Sequence, residues 1–254
     1  VDANDDGVME LLVFATGTSS ENPRAELYSF GTGKRELIGE TRLDSTITSF
    51  ESIKYAKTDE GTSIYADALC ADGSSMVTEF IYWSDYYNSI ISPFYSYSTG
   101  RTKETLRSSQ VTCRDIDDDG YIEIPEDTSS KKQSSEITSQ NWVNYGNTVL
   151  SHKCYSFSCK RDGYILVIDD DDFSKVKANY DSESRKLTII NKKNKSNVFE
   201  IVTLINSNYS VNDPKYKDYT MIMKNSGFVY LAKVNKSSDI DINIQTLKDM
   251  IKVY

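Results

Sequence analysis

Two nine-residue stretches, Asp2–Glu10 (DANDDGVME) and Asp115–Glu123 (DIDDDGYIE), follow one pattern, D-x-(D/N)-x-D-G-x-x-E. Each offers side-chain oxygens at alternate positions, turns on a glycine, and returns a carboxylate two residues after a free carbonyl. That arrangement wraps a hard cation in oxygen, and calcium is the ion this chemistry favours. Acidic turns with glycine also form without metal. Three or four carboxylates crowded into nine residues repel one another, however, and a divalent ion removes that repulsion. Such sites in extracellular modules bind calcium with Kd of about 10⁻⁴–10⁻³ M, which makes the ion a structural clip rather than a catalyst.

The second stretch also meets the longer EF-hand pattern, because Glu126 stands at position 12 counted from Asp115. An EF-hand needs a helix on each side of its loop. Gln110–Cys113 has no helical period, and Pro125 sits where the exit helix would start. The first stretch has Val13 at position 12 and lacks that ligand. What the two share is the shorter loop closed by its ninth residue.

Other chemistry finds less support. The one histidine, His152, lies in a polar Ser-His-Lys context, and no G-x-S-x-G surrounds a serine. Phosphate-cradling glycine motifs are absent. Cys70, Cys113, Cys154 and Cys159 show no C-x-x-C spacing, so a Cys/His zinc site is disfavoured and buried thiols are expected. Cys154 and Cys159, five apart, would face opposite sides of a strand; export would still permit a disulfide. Asp169–Asp172 is the densest acidic run, and adjacent aspartates on a strand end point in different directions, so a catalytic pair would need partners from elsewhere and a structural turn is expected. Lys192, Lys193 and Lys195 are expected in a solvated hairpin turn. Phe80, Tyr82, Trp83, Tyr86, Tyr87, Phe94, Tyr95 and Tyr97 divide between core packing and a surface suited to glycan or protein contacts.

The elements that would carry these residues follow from patterning. In 254 residues, 38% are hydrophobic and 26% charged, as in a folded protein. The net charge of -9 argues against nucleic-acid binding, and no apolar run is long enough to cross a bilayer. Residues 1–127 read as all-β, with strands at Glu10–Thr16, Ala25–Gly31, Arg35–Thr41, Phe50–Lys57, Thr62–Cys70 and Met76–Trp83, separated by glycine-rich turns. The polar, serine-rich stretch 128–140 reads as a linker. Residues 141–254 read as an α+β domain. Its strands are expected at Cys154–Arg161, Tyr164–Asp169, Val176–Tyr180, Lys186–Lys192, Asn197–Asn206, Tyr219–Lys224 and Phe228–Val234, with a hairpin turn at Asp162-Gly163. Asn197–Asn206 is apolar enough to be a central strand covered on both faces. Ile244, Leu247 and Ile251 share a helical face, with Asn243 as N-cap.

The acidic loop leading into a strand resembles the FG-GAP/VCBS-type calcium loops between the strands of β-propellers. The succession of Asp2–Val13, "SIYADALCADGSSMVTEFIYW" (Ser63–Trp83), "RDIDDDGYIEIP" (Arg114–Pro125), Trp142 and "DGYILVIDDDDF" (Asp162–Phe173) is similar to propeller-like lipoproteins of clostridia and related gut Firmicutes. That group looks exported, membrane-anchored and without an assigned enzymatic activity. The resemblance implies side-chain ligands from Asp2, Asn4, Asp6 and Glu10 and from Asp115, Asp117, Asp119 and Glu123, with carbonyls from Val8 and Tyr121. It also implies an extracellular or cell-envelope location in a Gram-positive bacterium and a lipid anchor ahead of this chain. The chain starts inside the first loop, so sequence before Val1 is expected to have been removed.

Two departures from the pattern bear on architecture. The loops lie 113 residues apart with a degenerate turn, Thr58–Thr62, between them. And ~127 residues supply two or three blades, fewer than a closed ring needs. The expectation is a mainly β protein: a partial, propeller-like N-terminal half of antiparallel blades, then an α+β domain with an antiparallel sheet and C-terminal helix. Its expected role is non-catalytic, a calcium-stabilised module binding protein or carbohydrate. The alternatives are a hydrolase whose carboxylates meet from distant loops, which a pocket with two carboxylates of raised pKa would favour, and a structural spacer.

Overall fold

A computed structural model describes residues 1–58, 61–128, 136–146, 149–210, 213–236 and 238–254. Asp59 and Glu60 of the Thr58–Thr62 turn, and 129–135 of the expected linker, lie outside the described residues. The chain is mainly β, about 52% strand and 8% helical, in several antiparallel sheets, none of them closed among the described residues. It divides into two compact units, one of Val1–Asp127 with Trp142–Lys153, the other of Thr128–Asn141 with Cys154–Tyr254.

In the first unit, β1 (Leu11–Ala15), β2 (Arg24–Ser29) and β3 (Glu36–Arg42) form a three-stranded sheet. Next, β4 (Ile47–Thr58), β5 (Gly61–Cys70), β6 (Met76–Ser84) and β7 (Ser89–Ile91) form a four-stranded meander. A short pair, β8 (Tyr95–Ser96) and β9 (Arg101–Thr102), follows, and β10 (Ile124–Asp127) leaves the second acidic loop. The strand period of two explains how β5 and β6 serve two cores. Ile64 pairs with Ile81 and Tyr65 with Phe80. Ile64, Ala68, Val77 and Ile81 join Ala25 and Leu27 in one cluster. Tyr65 and Phe80 point the other way, into a cluster with Cys113, Ile122, Ile124 and Val143. At the sheet edge, β4 alternates instead, and Ile53 and Tyr55 are exposed.

Next come β11 (Ile137–Gly146) and β12 (Val149–Cys159). Residues 142–153 of these strands belong with the first unit, and the rest with the second. The boundary therefore differs from the single linker expected at 128–140: the chain returns to the first unit before it is finished, and Ile137–Gln140 is strand.

In the second unit, β13 (Tyr164–Ile168) pairs with β12 and with the C-terminal β19 (Ile251–Val253). The hairpin turn is a four-residue one closed by the Cys159–Tyr164 pair, with Gly163 at φ 69°. Helix α1 (Asp170–Lys175) leads into β14 (Val176–Asp181), β15 (Lys186–Asn191), β16 (Asn197–Ile205), β17 (Thr220–Lys224) and β18 (Phe228–Val234), ordered β14-β15-β16-β18-β17. As its composition predicts, β16 is central, with Val198, Phe199, Ile201 and Val202 all buried. Helix α2 (Ile244–Met250) is capped by Asn243, whose Oδ1 accepts from the N–H groups of Gln245 and Thr246 at 2.8 and 3.0 Å. Leu247 fills the core, as expected. Ile251, expected on the same helix, instead begins β19, where it pairs with Leu166 of β13.

Candidate metal centre

The two acidic loops have the same backbone. In each, the residue before the first aspartate pairs with the closing glutamate. Glu10 N–H donates to the Val1 carbonyl at 2.7 Å, and Glu123 N–H donates to the Arg114 carbonyl at 2.9 Å. The fourth and sixth positions take left-handed backbone: Asp5 and Gly7 at φ 56° and 84°, Asp118 and Gly120 at 63° and 90°. Glycine suits the sixth position because that conformation carries no Cβ penalty there. The seventh N–H donates to the fifth carboxylate, Val8 to Asp6 at 2.7 Å and Tyr121 to Asp119 at 2.9 Å. The second residue of each loop, Ala3 or Ile116, is a buried anchor.

The closing glutamates match as well. Ala3 N–H donates to Glu10 Oε2 at 2.8 Å, and Ile116 N–H to Glu123 Oε2 at 3.0 Å. In both residues the other oxygen, Oε1, is buried and has no hydrogen-bond partner, and Asp2 Oδ1 is in the same state. Burial of this kind without a partner is costly. Burial raises the Glu10 pKa, opposed by the Ala3 N–H and reinforced by Asp6 and Asp2. Burial also pushes Glu123 up to about 7, against the Ile116 N–H and with help from Asp117 and Asp119. Uptake of a proton, which the raised pKa values favour, or of a cation would relieve each oxygen.

One carboxylate oxygen from each of Asp2, Asp6 and Glu10 lies within 4.8 Å of the other two, and so it is for Asp115, Asp117 and Glu123. Asn4 supports the first loop, its Oδ1 accepting from Asp6 N–H at 3.3 Å and its Nδ2 donating to Asp6 Oδ2 at 3.0 Å. Asp115 accepts from Asp119 N–H at 3.0 Å and Gly120 N–H at 2.8 Å. Asp119 stands outside the second cluster: Lys153 Nζ donates to its Oδ2 and lies 3.2 Å from Asp117 Oδ2. The hydrogen bond from Lys153 holds Asp119 below the usual carboxylate range, and the same bond raises Lys153. In the first loop Lys57 Nζ pairs with Asp5 Oδ1 at 2.8 Å, 4.0 Å from Asp2 Oδ2. Val8 and Tyr121 are partly exposed at the mouths of their loops.

A buried ionic network holds the irregular segment entering the second loop. Asp67 Oδ2 on β5 accepts the Cys113 N–H at 2.9 Å. Its Oδ1 accepts Arg107 Nη2 and the Thr78 hydroxyl at 2.8 and 2.7 Å. Neither lysine nor this network was legible in the sequence, since each partner arrives from a distant strand.

The remaining candidates sort out by burial. None of the four cysteines forms a disulfide, and Cys70, Cys113 and Cys159 are buried. His152 lies exposed on β12. Asp170–Asp172, expected at a strand-to-turn junction, instead form the first turn of α1, where carboxylates favour the positive end of the helix dipole. Lys192–Lys195 do form the turn joining β15 and β16, with Lys193 N–H donating to Asn191 Oδ1 at 2.8 Å. Phe80 packs with Tyr82, Phe94 and Tyr145, whereas Tyr86, Tyr87 and Tyr97 are 88%, 66% and 75% exposed. A groove of about 610 Å³ in the second unit is lined by Ile137, Phe157, Phe173, Val176 and Tyr180, with Glu136 its carboxylate among the described residues.

No protein-family model, curated protein or solved structure matches the chain. No helix among the described residues is long and apolar enough to cross a membrane.

Proposed function

We propose that this chain is a non-catalytic, calcium-stabilised β module of an exported or cell-surface protein, and that it binds protein or carbohydrate. The observation that supports this most is the repeated orphan oxygen. Glu10 Oε1 and Glu123 Oε1 occupy the same place in two loops of one geometry, each beside two aspartates. Asp115, Asp117 and Glu123, and Asp2, Asp6 and Glu10, would hold the ion. Calcium bound there would fix the loop that turns the chain into β1 or β10.

The meander β4–β7 has the strand number and order of one propeller blade, which fits the resemblance to FG-GAP/VCBS-type lipoproteins. The hairpin tip carrying Tyr86 and Tyr87, whose rings meet edge-to-face at 4.8 Å, is the exposed amphipathic surface a glycan or protein would contact. A hydrolase finds less support, because the groove at Ile137 and Tyr180 has one carboxylate in its described lining, and the hollow at Asp169–Asp172 takes its acids from adjacent residues rather than from two facing walls.

The test is thermal unfolding with calcium and with a chelator. Calcium raises the midpoint of the wild type, and Asp117→Ala reduces the rise. Identical curves with and without chelator would remove the calcium reading. Glycan-array screening then compares the wild type with a Tyr86→Ser/Tyr87→Ser variant.

A further inference from the structure

The two loops share their backbone and differ in where a lysine sits. In the first, Asp6 belongs to the carboxylate cluster, while Lys57 holds Asp5, the residue on the left-handed corner beside it. In the second, Lys153 holds Asp119, the counterpart of Asp6, and reaches Asp117, which is itself in the cluster. Asp119 is thereby absent from its cluster. Glu123, fully buried, still carries an oxygen without a partner there. The second loop therefore has a monovalent cation at its mouth and an unsatisfied acceptor at its base.

We infer that Lys153 is a built-in counter-ion of the second loop, which a divalent cation must displace, so that the two loops fill unequally and the first loop fills first. The inference rests on the calcium reading above. An ammonium bridging Asp117 and Asp119 offsets one unit of the loop's negative charge in the absence of metal, and it repels an ion entering between Asp115, Asp117 and Glu123. Once Lys153 swings away, Asp119 is free to complete the set as Asp6 does. Lys57 also bears on its loop, but its close contact is with Asp5, and Asp2 Oδ2 is 4.0 Å away.

The experiment is calorimetric titration of the full chain with calcium chloride. The wild type is expected to show two unequal dissociation constants. Lys153→Met removes a unit charge a few ångströms from the site, and the weaker constant should tighten by at least about tenfold, with the stronger one unchanged. Adding Glu123→Gln to that variant should abolish the tightened site. Lys153→Arg keeps the charge and should behave as wild type. Calcium binding with constants unmoved by Lys153→Met would overturn the inference and leave the calcium reading standing. No binding in wild type or variant would overturn both. Lys153→Gln carries the same test should the methionine variant fail to fold.

Discussion

Arg107 Nη2 lies 2.8 Å from Asp67 Oδ1, and neither side chain has any exposed surface. Arg107 also donates to the carbonyls of Val111 and Thr105 and to the Thr78 hydroxyl, so each of its three guanidinium nitrogens has an acceptor. Removing one partner leaves a buried charge uncompensated. Asp67→Ala is expected to cost about 3–5 kcal/mol. Replacing both with apolar residues, Asp67→Leu with Arg107→Met, should recover only part of that loss, because the Cys113 N–H, the Thr78 hydroxyl and the carbonyls of Val111 and Thr105 lose their partners. Urea denaturation measures both, and a single-variant loss under about 1 kcal/mol would mean that water reaches the pair.

Calcium linkage gives the second expectation. At tenfold excess over Kd, an ion bound only by the folded chain adds about 1.4 kcal/mol per site. Glu10→Gln and Glu123→Gln should each remove the increment of their own loop and spare the other. A variant pair that loses nothing in calcium would show that the orphan oxygens do not face an ion.

Glu79 makes stability depend on pH. It is buried on β6 and accepts from the Asp44 N–H at 2.6 Å and from the hydroxyls of Ser92 and Thr102 at 2.9 and 3.0 Å. Burial, with Asp44 adding to it, pushes its pKa up to about 7 from 4.5. Between those values the folded chain keeps a proton that the unfolded chain has lost. Its contribution is therefore greatest below pH 4.5 and declines as pH rises to about 7, by roughly 3 kcal/mol in all. Glu79→Gln should flatten that part of the profile. A wild-type profile that rises between pH 5 and 7 with a slope unchanged in the variant would contradict this assignment.

The cap of α2 offers a smaller test. Asn243→Ala removes the acceptor for two N–H groups and should lower stability by about 1 kcal/mol, with Asn243→Asp close to wild type. Thermal melts with far-ultraviolet circular dichroism would resolve it. Equal losses in both variants would place the effect elsewhere.

What the sequence made legible was local. Short apolar runs bounded by turn residues mark Phe228–Val234 to the residue and β5 to within one, because the residues of one strand and its flanking turns decide it. The acidic loops announce themselves through residues within nine positions. The unread parts depend on partners far along the chain. Ile137–Gln140 looks like a linker because Thr138, Ser139 and Gln140 continue a polar, serine-rich stretch. Yet Gln140 is fully buried, its Oε1 accepting from the hydroxyls of Ser156 and Ser158 on β12. Ile251 fits a helical face by spacing and leaves it for the ladder with β13. Lys153 gives no local sign of reaching Asp117 and Asp119.

The hairpin β11–β12 has a practical consequence for anyone cutting this gene. Val143, Tyr145 and Leu150 pack on the Phe80 cluster, the Tyr145 ring lying 4.4 Å from that of Phe80. A fragment stopped at Asp127 would strip those side chains away and take Lys153 from the second loop. The smallest piece with an intact interior has to run on through Lys153.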